Sequence, residues 1–356
     1  MSEPKIKRLQ NALKGVADYA VVNVGPNFFY LTGIWPLASL ERPFFLIVPS
    51  EDKPFIIAPE LYAPDVNKIE VEKIFYKDGE DPFSLLAKRL KKGTVLIDDL
   101  MSASHALRIQ MNLDGYSFDL LSAVISKLRA VKDENEVELI KKAASIVDRA
   151  FKKIVQEIYS GITENELAQV LNEYMMYYGA DGFAFETIVA SGPNSAEPHH
   201  LTGNRKIRKG DVIIMDYGAR YRGYVSDITR TVYFGSVDTE FLEVYETVKK
   251  AQEAAINFAK PGVEARDVDR AARSVIEAKG YGPNFTHRTG HGIGVEVHEQ
   301  PFLDSRNTLK IENNMVFTVE PGIYLEGKFG VRIEDDVIMK NRSERLTKSS
   351  RSLITI

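Results

Sequence analysis

The most constraining feature of this 356-residue chain is a pair of apolar runs, VIIMDYG at residues 212–218 and VSDITRT at residues 225–231, each interrupted by one aspartate. Apolar and β-branched residues in such runs read as buried strands, and Gly218, Tyr221 and Gly223 between them read as the bend of a hairpin. A carboxylate in a buried strand is costly unless it is paired or coordinates a cation. Asp216 and Asp227 are therefore either structural residues that cap turns or members of a site.

The length exceeds what one core ordinarily serves, and two domains are expected, at residues 1–125 and 126–356. Hydrophobic residues at 44% and a formal net charge of −4 describe globular domains with a mixed surface, which argues against nucleic acid or an anionic membrane as partner. There is no cysteine, so disulfides and thiolate metal sites are excluded, and any metal must take oxygen and imidazole ligands. No apolar stretch nears the length that spans a bilayer, and the first residues lack a signal-type apolar segment, so a cytoplasmic location is expected.

Residues 1–125 alternate short strand-like runs, at 19–24, 44–48, 55–57 and 94–97, with helical patterns at 5–14, 82–91 and 103–111. This alternation indicates an α/β domain. His105 stands alone there on a helical pattern and reads as structural. From about residue 130 the pattern changes. Asp133 with Glu136, and Thr163 with Glu166, have the spacing of capping boxes. The first opens a helical repeat through Ile158 toward Gly161, and the second a helix to Gly179. Further helices are expected at 240–258 and 265–279, and strands at 186–190, 315–319 and 331–339. Long helices among strand pairs indicate an α+β domain.

Five of the six histidines fall between residues 199 and 298. His199 and His200 follow Pro198 at the end of a loop-like segment. His287, His291 and His298 lie along HRTGHGIGVEVH at residues 287–298, where Gly290, Gly292 and Gly294 exclude a helix and permit close backbone approach. Glu320 sits at a strand end fixed by Pro321. Glu334 is expected inside the strand 331–339, on the same face as Arg332 by period-two alternation. Several strands each delivering a buried acid, beside a histidine among glycines, make a site.

The ordered set Asp216, Asp227, His291, Glu320 and Glu334, each in its own local string, resembles the pita-bread metallopeptidases, the family of methionine aminopeptidase, Xaa-Pro aminopeptidase, prolidase and creatinase-like proteins. The resemblance covers about residues 130–356, and the α/β half resembles the N-terminal domain of prolidase, aminopeptidase P and creatinase. It implies two divalent metal ions per subunit, with Asp216 on the first, Asp227 and Glu334 bridging, and His291 and Glu320 on the second. An oxygen-rich set suits Mn²⁺ or Co²⁺, with Zn²⁺ and Fe²⁺ as alternatives. The resemblance further implies that Glu320 shuttles a proton, that His199 and His298 stabilise the oxyanion and serve the leaving amine, and that His287 lies near a prolyl pocket. Thr229 is expected to support the ligands. Arg332 would either reach a substrate carboxylate or pair with a bridging acid, and His200 reads as structural.

Hydrolysis of the Xaa-Pro bond is the implied activity, in dipeptides first and in longer peptides as the alternative, with a catalytically inactive peptide-binding module of the same fold as the rival of another class. One departure from many prolidases is Phe302, where an arginine for the dipeptide carboxylate is expected; Arg288, Arg306 and Arg332 are the substitutes. The implied partners are short proline-containing peptides and a second copy of the chain. Trp35 and the run Phe28, Phe29 and Tyr30 would serve either that contact or the core.

Overall fold

A computed structural model describes residues 4–35 and 41–356. The chain forms two compact units, 1–129 and 130–356. The division expected at residue 125 would fall inside the helix Ser122–Ala130.

The first unit is built on a six-stranded sheet whose spatial order is Glu72–Tyr76, Phe55–Pro59, Phe45–Pro49, Tyr19–Asn23, Thr94–Ile97, Ser117–Leu120. Three neighbouring pairs are parallel and two antiparallel. The three strands beginning at Tyr19, Phe45 and Phe55 are buried at every position, so they show as unbroken apolar runs. The two edge strands are largely half-exposed or exposed, which is why neither stands out in the sequence. His105 is buried, its ring 5.9 Å from those of Phe45 and Phe83, and is a packing residue. A helix not expected from the sequence, Pro26–Thr32, starts on a proline at its first position, where the missing N–H is harmless. It puts Phe28 and Tyr30 into the core, whereas Trp35 stays exposed.

The second unit has four long helices. Glu134–Ile154 and Glu164–Tyr177 carry complete capping boxes at Asp133/Glu136 and Thr163/Glu166. The first stops at Ile154, short of the expected Ile158; Ile158 stays buried, so the apolar repeat outlasts the helix. These two cover one apolar core. The helices Thr239–Phe258 and Ala265–Glu277 cover another.

Strands lie between these helix pairs. Val212–Tyr217 and Ile228–Tyr233 pair antiparallel, with Thr229 opposite Asp216, and Ile188–Ser191 flanks the first. The chain between them makes its own small hairpin, Ala219–Tyr221 with Tyr224–Val225. Its two central residues, Arg222 and Gly223, both have positive φ, as a tight hairpin turn requires. A five-stranded sheet holds Glu299–Leu303, Gly290–Gly292, Val316–Val319, Asp335–Met339 and Ser343–Arg345. The run 331–339 is not one strand. Phe329–Arg332 pairs with Gly322–Leu325, and Asp335–Met339 belongs to the larger sheet. Between them Glu334 leaves both ladders: its N–H donates to the Thr229 carbonyl (3.1 Å), and its carbonyl accepts from Arg230.

Arg230 is 1% exposed. Its guanidinium donates to Asp335 Oδ1 (2.7 Å) and to the carbonyls of Thr229, Ser349 and Ser350 as well. Asp335 also accepts from Gln252, Arg345 and Thr347. The pair thus ties the strand Ile228–Tyr233 to the break at Glu334 and to the end of the chain. Removing one partner of a buried pair strands the other charge, so Arg230→Met is expected to destabilise the protein by about 3–5 kcal/mol. Urea unfolding of the variant measures this, and a loss below about 1 kcal/mol would refute the role given to the pair.

Candidate metal centre

Three of the four acids stand where strands end or break. Asp227 occupies the gap between Tyr224–Val225 and Ile228–Tyr233, where its N–H donates to Asp336 Oδ2 (3.1 Å). Glu320 follows the last residue of Val316–Val319, and its N–H donates to the Thr289 carbonyl (2.8 Å). Glu334 sits in the break already described. Only Asp216 lies within a strand. In a continuous strand, neighbouring side chains alternate between faces; breaks free each acid from that rule and let separate strands aim at one point.

His291 is the middle residue of Gly290–Gly292. A Cβ at Gly290 would lie 2.0 Å from the Thr318 carbonyl oxygen, and one at Gly292 would lie 2.1 Å from that of Gln300, so the strand fits only with glycine on either side. His291 Nδ1 is 3.1 Å from the Gly292 carbonyl, and an Nδ1–H donating there leaves the Nε2 lone pair facing the acids. Nε2 stands 3.2 Å from Glu320 Oε1 and 3.8 Å from Asp227 Oδ2. One ligand atom from each of Asp227, His291 and Glu334 can be chosen so that all lie within 4.8 Å of one another. Asp216 Oδ1, Asp227 Oδ1 and Glu334 Oε1 are buried with no hydrogen-bond partner among the described residues. Hard oxygens left bare around an oriented imidazole are the donor set of a divalent cation.

A directed hydrogen-bond chain borders these groups. Arg332 Nη2 donates to Asp216 Oδ2 (2.6 Å), and Nε donates to Thr229 Oγ1 (3.0 Å). Thr229 in turn donates to Glu334 Oε2 (2.6 Å). Arg332 Nη1 serves the Pro198 carbonyl (3.2 Å) and the Tyr324 hydroxyl (2.8 Å). The Tyr324 hydroxyl lies 2.8 Å from His287 Nε2, while His287 Nδ1 is 2.8 Å from the Arg288 carbonyl. With Nδ1 the donor, Nε2 accepts the tyrosine proton. Four of the five guanidinium N–H groups of Arg332 are thereby committed within the protein, one of them to Asp216, which the resemblance places on the first metal rather than in the bridge.

Burial, then repulsion among the acids, pushes Asp227 and Glu334 well above the ordinary carboxylate range. Burial also raises Asp216, against the opposing pull of Arg332. Glu320 goes the other way. Burial would raise it, but His291, His287 and Arg332 outweigh burial and hold it down to about 2. Partial burial, then His291 and Arg288, push the His298 imidazole below its usual range, and burial does the same to His287.

The nine residues given a catalytic, metal-binding or substrate-binding role from the sequence (Asp216, Asp227, His291, Glu320, Glu334, His199, His298, His287 and Arg332) all line one pocket of about 540 Å³, together with the apolar Phe185, Ile188, Leu201 and Val297. His298 has its ring centre 4.3 Å from that of His291. His199 is exposed at the pocket wall. His200 lies behind it, held by buried Glu164 and by Glu197, each at 3.0 Å, and so orders the loop. Tyr324 and Asp336 escaped the sequence reading. Tyr324 alternates inconspicuously within a short strand, and Asp336 is one of two adjacent acids whose separate environments only the sheet reveals.

The fold agrees with comparisons to known proteins. Residues 138–341 match the family model described as metallopeptidase family M24, and residues 5–131 match the creatinase/prolidase N-terminal domain. The chain is 37% identical to the Xaa-Pro dipeptidase of Pyrococcus horikoshii over 364 residues, covering 99% of each. A crystal structure of prolidase from Thermococcus sibiricus superposes with a TM-score of 0.96 at 45% identity, covering 100% of both chains. The X-Pro aminopeptidase of Thermotoga maritima superposes with a TM-score of 0.83 at 37% identity, over 97% of this chain and 100% of that one. Family M24 is a family of metallopeptidases, which implies divalent metal ions, and the bare oxygens around His291 are suited to hold them. With half of its length matched by the family model and full-length relatives above 30% identity, the chain belongs to metallopeptidase family M24 and carries a creatinase/prolidase N-terminal domain.

Proposed function

We propose that the protein is an Xaa-Pro dipeptidase that works with two divalent metal ions, Mn²⁺ or Co²⁺ before Zn²⁺ or Fe²⁺. The observation that carries this reading is the set of three buried, unpartnered carboxylate oxygens of Asp216, Asp227 and Glu334, two of these acids clustered with His291, in the lining of a pocket of about 540 Å³. Asp216, Asp227, His291, Glu320 and Glu334 hold the ions. When bound, the ions supply Lewis-acid activation of water and of the scissile carbonyl.

The remaining steps belong to the chain. Glu320, ionised at neutral pH, accepts a proton at its carboxylate and returns it. His298 and His199 face the pocket, and serve the developing oxyanion and the proline nitrogen, which must gain a proton before it departs. Arg332 and Thr229 fix the rotamers of Asp216 and Glu334, so the acids need not reorganise during the reaction. The relatives named as dipeptidase and prolidase support the substrate class, and the Thermotoga maritima relative supports the alternative of longer peptides.

Protein stripped with a chelator and reloaded with Mn²⁺ or Co²⁺ is expected to hydrolyse a Xaa-Pro dipeptide faster than a Xaa-Pro-Yaa tripeptide. Equal or faster tripeptide cleavage would make it an aminopeptidase, and cleavage of neither by metal-loaded protein would end the proline-specific reading.

Metal-free stability should depend on pH in a defined sense. Asp216, Asp227 and Glu334 keep protons in the fold above the unfolded carboxylate value, so the folded state binds more protons than the unfolded. Stability of the metal-free protein is then present below about pH 4 and declines as pH rises through the elevated folded values. Metal displaces those protons. The gap in melting temperature between loaded and chelated protein is expected to widen from about pH 5 to about pH 8. A gap that narrows over this interval would contradict the assignment.

A cytoplasmic homodimer completes the proposal. It rests on the family resemblance and on the finding that no helix of the described residues is long and apolar enough to cross a membrane. Light scattering on the metal-loaded protein is expected to give twice the chain mass, and the mass of a single chain would reject the dimer.

A further inference from the structure

Asp269 is a buried acid that does not line the pocket; it is 1% exposed, on the helix Ala265–Glu277. Arg273, one turn further along the same face, meets it two-pronged. Its Nε donates to Oδ2 and its Nη2 to Oδ1, each at 3.0 Å. A buried ion pair of this kind is by itself weak evidence of anything but charge compensation. What the pair grips beyond itself gives it a further role.

Residues 285–289 run from the turn Gly282–Asn284 to the strand Gly290–Gly292 and belong to no ladder. Their backbone groups must therefore find partners elsewhere. Arg273 Nη1 donates to the Phe285 carbonyl (3.0 Å) and Nη2 to the His287 carbonyl (2.9 Å). The same guanidinium lies 4.2 Å from the centre of the Phe285 ring. Asp269 Oδ1 accepts from the Thr289 hydroxyl (2.7 Å) and from its N–H (3.2 Å). Two side chains of one helix thus hold the segment at residues 285, 287 and 289.

Each point of that grip leads to the centre. His287 lines the pocket. The Thr289 carbonyl accepts from the Glu320 N–H (2.8 Å), and two residues further on the His291 N–H donates to Thr318 Oγ1 (3.1 Å), which lies 3.3 Å from Glu320 Oε1. A displaced Thr289 would move His291 through the chain and Glu320 through its hydrogen bond.

We propose that Asp269 and Arg273 are positioning residues for the metal centre. By fixing the 285–289 segment on the helix Ala265–Glu277, they set the spacing of His291 and Glu320 and the place of His287 in the pocket wall. The inference deepens the metal-binding reading and rests on it.

Calorimetric titration of metal-stripped protein with Mn²⁺ tests it, because a dissociation constant does not depend on how much of a preparation is folded. Arg273→Lys keeps a cation opposite Asp269 but cannot fork to two carbonyls as well. It is expected to weaken Mn²⁺ binding about 10-fold, the lower end of what supporting partners of metal ligands contribute. Thr289→Val keeps the side-chain shape and removes only the hydroxyl donor, and is expected to weaken binding about 3-fold, as the loss of one hydrogen bond implies. It also decides the matter should Arg273→Lys fail to fold. Wild-type affinity in the folded variants, with only the melting temperature lowered, would make the pair purely structural and overturn the inference. If wild type binds no Mn²⁺, the metal-binding reading fails, and amide hydrogen exchange of the metal-free protein then judges the positioning role. Faster exchange confined to His291 and Glu320 in Thr289→Val would support it, and exchange there equal to wild type would overturn it.

Discussion

Mutual repulsion among buried carboxylates is the constraint on which the second unit turns. Asp216, Asp227, Glu320 and Glu334 converge where little water remains to screen them, and like charges at such spacing and depth oppose one another strongly. The protein relieves part of this load itself. Arg332 pairs with Asp216, Thr229 donates to Glu334, and His291 stands against Glu320. Four carboxylates against one guanidinium still leave a negative surplus, and two apolar cores under two helix pairs hold the strands in place despite it. The proposed pair of cations is the natural complement of that surplus.

Much of this was legible in the sequence, for reasons that can be stated residue by residue. The buried strands of the first unit show as apolar runs because both faces are covered, and the capping boxes at Asp133 and Thr163 announce helices because their side chains satisfy local backbone groups. The aspartates at 216 and 227 stand out because an acid within an apolar run has no bland explanation once others join it. The missed parts share a cause as well. The edge strands of the first sheet lack a buried face, and the Pro26 helix begins with a residue more often read as a break. Arg332 sits in a pattern that places it on the right face, yet its partner is 116 residues away in sequence, and only the register of the paired strands brings Asp216 to it. Phe302 posed a question about a missing cation, and the ring above which Arg288 lies could be seen only once the two segments were folded together.

The imidazoles of the pocket take their orientation from backbone carbonyls. His291 and His287 each place Nδ1 against a backbone carbonyl, of Gly292 and Arg288 respectively, and this leaves Nε2 to act as an acceptor. His287 then takes a proton-bearing partner in Tyr324, which is itself supplied by Arg332. The direction of every bond in that chain follows from the guanidinium at its head, which can only donate. His200 is the contrast: set between Glu164 and Glu197, it is raised rather than lowered, because these carboxylates outweigh its burial, and it orders a loop instead of facing substrate.

The interruption at Glu334 has a consequence for how the fold tolerates change. Had residues 331–339 formed a single strand, a slip of one position in the hairpin of Gly322–Leu325 and Phe329–Arg332 would have carried through to Asp335–Met339, turning every side chain to the opposite face. Because Glu334 hands its backbone to Thr229 and Arg230 instead, the two ladders are set independently, and the joint behaves like a coupling that passes direction but not phase. Insertions or shortened turns near Gly327 can therefore be absorbed on one side of the joint, while the alignment of Asp335 and Asp336 with the larger sheet is held on the other.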